Sequence, residues 1–270
     1  MSTITRSQTI RQRFYTIGLL VRRNVKNQYY GSFIGVVWTV LNPLLNMIVM
    51  AFVFTSIFGR EGIDLDYPVY VLSGSITFTL MRAGTAGSVN SLVGRADMLL
   101  KTRTQLEIFP TATVISSLVT YGFSLIALLL VAGWRALPIF GGPYFTFTWN
   151  MLLIIAIIPA ILLFTLGISY FLSALYVFFR DVKNLYDVFL TLWFYLTPIF
   201  YTIKQLKSAT VEKFESFNPM YYYVNGTREC LEGIMVSGKE WLLMYLFGFI
   251  SLLIGWTFLR LLRNKISVHL

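Results

Sequence analysis

Apolar residues run in blocks along this chain, and charge falls in the gaps between them. No charged residue lies between Lys26 and Arg60. A second apolar run, 68–90, is interrupted only by Arg82, and a third lies between Glu107 and Arg135. The stretch from Ala136 to Phe179 is uncharged but is broken by Pro138 and by Gly141-Gly142-Pro143. Those breakers predict a loop or re-entrant turn at 136–147. A helix that crosses a membrane needs about 20 apolar residues. The pattern therefore predicts six such helices, over 35–58, 68–90, 107–135, 149–178, 184–201 and 240–260. An even number of crossings puts both termini on one side. No ten-residue alternation suggestive of a membrane β-barrel is present.

Two segments outside the spans carry their own pattern. Phe14, Ile17, Val21 and Val25 recur at spacings of three and four, with Arg11, Arg22, Arg23 and Lys26 elsewhere on the same helix. Residues 10–30 thus predict an amphipathic helix lying in the membrane interface. It serves either as a lipid anchor or as a docking collar for a partner. Between spans 5 and 6 lies the one sizeable connecting segment, 202–239, with Phe214, Phe217 and Tyr221-Tyr222-Tyr223. It predicts one or two short helices dipping back toward the membrane. No linker, repeat or low-complexity tract divides the chain, so residues 1–270 read as one domain.

Composition fixes the class. The chain is 56% hydrophobic and only 13% charged, against about 25% charged in soluble domains. Its mean hydropathy is +0.68. The fold class is an all-α polytopic membrane protein. The charge distribution then sets the orientation. With both termini in the cytoplasm, the inner segments hold fifteen basic and four acidic residues, and the outer segments seven basic and eight acidic. That is the positive-inside arrangement. The net charge of +10 therefore reports topology and contact with anionic lipid rather than nucleic-acid binding. Residues 14–21 resemble a signal-peptide core, but Arg22-Arg23 follow and no small-residue cleavage site appears, so they are read as mature sequence.

Chemistry-bearing motifs are few. Cys230 and His269 are each alone, so neither a disulfide nor a metal framework is expected. Residues 233–240 match the Gly and Lys spacing of a phosphate-binding loop, but Glu240 stands where Ser or Thr would hold Mg²⁺ and no strand precedes it. This chain is not expected to hydrolyse ATP by itself. Asp64 and Asp66 read as loop acids beside Glu61, and Asn225-Gly226-Thr227 is a glycosylation sequon on the outer side. Arg82, in mid-span, either snorkels and packs or lines a polar pathway. The aromatic run Trp193 to Tyr201 reads either as an interfacial belt or as a stacked lining over which sugar faces slide. In span 1, Gly31 and Gly35 permit close helix approach. Asn42 and Pro43 interrupt the helix ladder, which is tolerated only where protein or water re-satisfies it.

Three groups of residues carry a family resemblance. Tyr30-Gly31-Ser32-Phe33-Ile34-Gly35 with Trp38 and Leu41-Asn42-Pro43-Leu44 forms the first. Phe178-Phe179-Arg180-Asp181-Val182 leading to Leu196-Thr197-Pro198-Ile199 forms the second. Asn218-Pro219-Met220 ahead of Gly226-Thr227-Arg228 forms the third. In order and spacing they resemble the permease subunit of type-2 ABC exporters for polysaccharides. The resemblance implies a homodimer in the bacterial cytoplasmic membrane with a translocation path between the copies. Two separate cytoplasmic ATPase subunits would bind below and carry the ATP and Mg. It implies that Arg22, Arg23, Arg95, Asp97, Lys101 and Arg103 meet the ATPases. Arg180 and Asp181 would sit at the inner mouth. Tyr30, Phe33, Trp38, Asn42, Arg82, Trp193, Tyr195 and Phe200 would line the path, and Gly31, Gly35 and Pro43 would serve packing. The implied substrate is a glycopolymer linked to a polyprenyl diphosphate, with wall teichoic acid placed first and O-antigen or capsule next. Competing readings are an exporter of drugs or lipids, a proton-coupled flippase and a membrane glycosyl- or phosphotransferase. The last two need buried acids or catalytic clusters that the spans lack.

Overall fold

A computed structural model of the chain describes residues 10–29, isolated positions and runs of two or three between 38 and 53, and 66–102, 105–135, 148–201 and 215–269. The described residues are helical, without strands. Helix α1 is Ile10–Tyr29, α2 Tyr67–Val89, α3 Ala96–Thr102 and α4 Ile108–Arg135. Helix α5 is Ile154–Phe178, α6 Val182–Leu196, α7 Pro219–Glu232, α8 Gly238–Leu261 and α9 Arg263–His269. Short 3₁₀ turns at Val93–Arg95 and Trp149–Leu153 lead into α3 and α5. Within the predicted span 1 only Trp38, Leu41, Leu44–Asn46, Ile48, Val49 and Val53 are described; all are helical, and Trp38 is exposed. Tyr30, Gly31, Phe33, Gly35, Asn42, Pro43, Arg103 and the predicted loop 136–147 lie outside the described residues.

Among the described residues, three helical stretches are long and apolar enough to cross a membrane: Ile108–Trp134, Trp149–Phe178 and Gly238–Leu261. Helix α2 matches its predicted bounds but is of another kind. Its Ser73, Thr77, Thr85 and Ser88 are buried, and each hydroxyl donates to a carbonyl one turn back, at 2.9, 2.8, 2.8 and 2.6 Å. Packed against α4, α5 and α7, α2 is the central helix, surrounded by protein along much of its length. That is why it tolerates hydroxyls and Gly74 and Gly84.

Helix α6 differs from the predicted span 5, 184–201. It stops at Leu196, and Thr197 turns to φ −78°, ψ 133°. The cause is Pro198, which offers no N–H and forces the residue before it into extended backbone. A 15-residue helix is roughly 22 Å long, short of the roughly 30 Å hydrocarbon core. Residues 197–200 continue from its end in non-helical form. Tyr186 near the start of α6 donates to Thr85 Oγ1 at 2.7 Å, while Phe200 reaches Tyr67 at the opposite end of α2.

Two cores result. One gathers α2, α4, α5, α7 and α8 around Phe78, Leu128, Ile161 and Tyr223. The other closes one end of the bundle with Leu20, Leu92, Leu99, Phe109, Val177, Leu259 and Ile266. That end collects Arg22, Arg23, Arg95, Arg180 and Arg260, in keeping with a basic inner side.

Part of the amphipathic helix's apolar face turns toward the bundle. Ile17, Val21 and Val25 are half-buried, but Phe14 is 71% exposed and the deepest residue is Leu20. Polar contacts set the angle. Asn24 Nδ2 donates to Ser116 Oγ at 3.2 Å and Gln28 Nε2 to Thr120 Oγ1 at 3.4 Å. Helix α1 therefore runs along α4 as well as beneath the bundle.

Candidate functional site: a basic end and a clasped non-helical segment

The basic end is built by elements from distant parts of the sequence. The 3₁₀ turn Val93–Arg95 and α3 form the connection between α2 and α4. Arg95 does not point outward. Its Nη2 donates to Asn24 Oδ1 at 2.5 Å, and its guanidinium lies 5.8 Å from the centre of the Phe109 ring. Nη1 is buried without an acceptor among the described residues. Burial first, and the neighbouring charge of Arg23 second, lower the pKa of this guanidinium. Arg22, Arg23 and Asp97 are exposed. Lys101 sits in the last turn of α3. Arg180 and Asp181 are exposed in the turn between α5 and α6, with Arg180 stacked 5.2 Å over the Tyr176 ring. Arg260 Nε lies 3.7 Å from Glu107 Oε1, and its guanidinium covers the Trp256 ring at 3.9 Å. Arg260 is largely exposed while Glu107 is mostly covered, and at this distance the pair contributes little by charge alone.

The opposite end holds the residues of the second and third motif groups, and the structure brings them together. Leaving a helix inside an apolar bundle strands carbonyl oxygens, and each needs a donor. From 198 to 201 all four find one. Arg228 Nη1 donates to Pro198 O at 2.8 Å, and Nη2 to Ile199 O at 2.9 Å and Tyr70 O at 3.3 Å. Tyr67 donates to Phe200 O at 2.8 Å and Tyr70 to Tyr201 O at 2.9 Å. The two tyrosines stand three apart on α2, so both face the segment. Arg228 is 4% exposed, and its guanidinium centre lies 3.4 Å from the middle of the Tyr70 ring. Gly74 leaves room for it, since a side chain there would meet Arg228 Nη2.

Asn218 locks the same region from the other side. Its Oδ1 accepts from Met220 N at 3.1 Å, capping α7, and from Trp193 Nε1 at 2.9 Å. Its Nδ2 donates to Thr197 Oγ1 and to Glu215 Oε2, both at 3.2 Å. Pro219 at the first helical position completes the start signal. Glu215 is 1% exposed, and burial pushes its carboxyl up to about 7, against the opposing pull of the Asn218 amide.

The expected path residues are spread unequally. Trp193 is half-buried, hydrogen-bonded to Asn218 and edge-on to Phe78 and Phe164 at 6.2 and 6.1 Å. Phe200 is 3% exposed, whereas Tyr195 is 54% exposed. Arg82 is exposed on α2.

The phosphate-loop look-alike resolves into a helix connection. Gly233, at φ 78°, ends α7, and Ser237 begins α8. The sequon's Asn225 is half-buried, donating to Glu229 Oε1 at 2.8 Å and to Glu240 Oε1 at 3.4 Å. Burial and Glu240 push the Glu229 carboxyl up to about 7. Among the described residues no cluster of three or more His, Cys, Asp or Glu could hold a metal.

Sequence reading named Arg228 within a motif but gave it no role, and it missed Asn24, Tyr67 and Tyr70. A signal for Asn24 was present: it is the uncharged polar residue between Val21 and Val25, on the side that turns inward.

These features define a multi-helical membrane protein with a basic end and a fastened non-helical segment at the other. Residues 15–231 match the ABC-2 type transporter membrane family, and the chain belongs to it. It is 32% identical over 204 residues to the O-antigen export system permease protein RfbA of Myxococcus xanthus, covering 74% of each chain. A protein of the same name from Klebsiella pneumoniae is 26% identical over 260 residues, 94% of each. The polysialic acid transport protein KpsM of Escherichia coli is 20% identical over 244 residues, 89% of this chain and 90% of that one.

Proposed function

We propose that this chain is the membrane-spanning permease subunit of an ATP-driven exporter of a cell-surface polysaccharide. The observation that carries this reading is similarity to polysaccharide export permeases along nearly the whole chain, including 94% of one of them. The names of those relatives favour an O-antigen- or capsule-class polymer over the teichoic acid expected first from the sequence. In this account two copies form the permease in the bacterial cytoplasmic membrane, with six spans each and both termini inside. Separate ATPase subunits bind the basic end and supply ATP and Mg. The glycan travels on a polyprenyl diphosphate carrier. Arg22, Arg23, Asp97 and Lys101 face the ATPases. Arg95 acts from behind them, because its guanidinium is committed to Asn24.

The chemistry of the chain agrees with this division of labour. It offers apolar spans, an exposed aromatic at Tyr195 and basic residues at one end. Deleting the coding sequence in the native host should strip the polymer from the cell surface and accumulate its lipid-linked form inside. Complementation should restore the surface. An unchanged surface glycan would overturn the assignment.

A further inference from the structure

The turn and helix over 93–102 connect α2 to α4 and, on the reading above, receive the push of an ATPase. Their attachment to the rest of the protein has two parts. One is apolar: Leu92 and Leu99 join Leu20 of α1 and Phe109 and Ala112 of α4 in the core at the basic end. Such contacts are non-directional, and they hold surfaces together without fixing their register. The other part is polar and directional. Arg95 Nη2 donates to Asn24 Oδ1 at 2.5 Å, Asn24 Nδ2 donates to Ser116 Oγ at 3.2 Å, and Ser116 Oγ donates to Ala112 O at 2.6 Å. One side-chain amide thus uses its acceptor toward the connecting turn and its donor toward a span. The bond to Arg95 is charge-assisted, the stronger kind.

We propose that Asn24 is a positioning residue that relays movement of the 93–102 segment through α1 into α4. This rests on the exporter reading and adds a role for the amphipathic helix beyond anchoring. If the segment is displaced, the apolar contacts can slip by a fraction of a residue, but the amide cannot keep both partners unless α1 and α4 follow. The half-buried position of Asn24 protects the thread from water, which would otherwise compete for its bonds.

The test uses the whole exporter. Surface polymer is measured in host cells, and ATP hydrolysis in the complex purified with its ATPase subunit. Asn24→Leu removes both bonds at similar size. Asn24→Asp keeps an acceptor for Arg95, and Ser116 can turn its hydroxyl to the new carboxylate. Ser116→Ala cuts the α4 side alone. Relay by Asn24 predicts that Asn24→Leu lowers polymer exported per ATP hydrolysed by at least about fivefold, the lower end of ordinary coupling between sites. Ser116→Ala shifts the ratio the same way, Asn24→Asp restores most of it, and the yield of assembled complex stays unchanged. An unaltered ratio in Asn24→Leu would overturn the relay. So would a loss of export that only tracks loss of assembled complex and is not rescued by Asn24→Asp, since that marks a simple anchor. Failure to recover any ATPase subunit with the unmodified chain would instead strike the exporter reading itself.

Discussion

The Arg228 guanidinium is buried; its Nε finds no acceptor among the described residues, but both Nη groups donate, and there they meet a matching need. Pro198 ends α6, and the carbonyls beyond it lack helix partners. Replacing Arg228 by Met removes the donors and leaves Pro198 O and Ile199 O unpaired, at about 1–3 kcal/mol for each buried group. Thermal unfolding of the detergent-purified protein should rank the unmodified chain above Arg228→Lys, and that above Arg228→Met. Lysine keeps the charge and some of the bonds but not the planar fork. A Met variant as stable as the parent would contradict the clasp. At this scale the sequence was legible where residue type alone implies a need. Asn218-Pro219 has the residue types of a helix start, whereas Pro198, which ends α6, was read through as part of a span over 184–201. The sequence was illegible where the partner is distant: Arg228 lies 158 residues from Tyr70, and Asn24 lies 71 from Arg95. Trp193 and Phe200 had two readings in the sequence. The structure gives both packing partners and leaves Tyr195 as the open aromatic.

At the scale of elements, charges mark helix ends well because they avoid the apolar interior. Arg135 ends α4, and Glu107 immediately precedes its start. Hydropathy cannot tell a lipid-facing helix from one wrapped in protein, so α2 looked like an ordinary span until its buried hydroxyls were seen. Nor could periodicity place the inward face of α1, which turns on hydrogen bonds to Ser116 and Thr120. The tightest element contact is between α5 and α8. Gly255 lies against the backbone of Gly167, Gly248 approaches Ala160 O, and Ser251 Oγ donates to Phe164 O at 2.9 Å. Tyr245 adds a bond to Ala156 O at 2.9 Å. Without a hydrophobic force between helices in lipid, such small-residue contacts supply the adhesion. Gly255→Val would overlap the Gly167 carbonyl and force the helices apart, costing about 1–3 kcal/mol or more. Folded protein recovered from membranes should fall sharply for Gly255→Val, while Gly122→Val, at a position where an added Cβ meets none of the described residues within 4 Å, should be tolerated. Equal recovery of the two would refute this packing.

At the scale of the whole molecule, the apolar blocks and the charge asymmetry made a polytopic helical protein legible without any partner information. The motif groups gave the family because order and spacing were preserved along the chain. What remained hidden was the mechanical wiring, which depends on contacts between segments remote in sequence. Helix α6 leaves Leu185, Val188, Phe189 and Leu192 exposed on one chain, a surface suited to lipid or to a second copy. On the function proposed above, this chain works only as the permease of an ATP-driven complex. Gentle affinity purification from native membranes tests it most directly, with the co-purifying chains identified and ATP hydrolysis measured. A permease of this kind should bring down a stoichiometric soluble subunit with an intact phosphate-binding loop and show ATPase activity in the eluate. A chain that purifies alone, without ATPase activity, under conditions that keep other membrane complexes whole, would contradict that function.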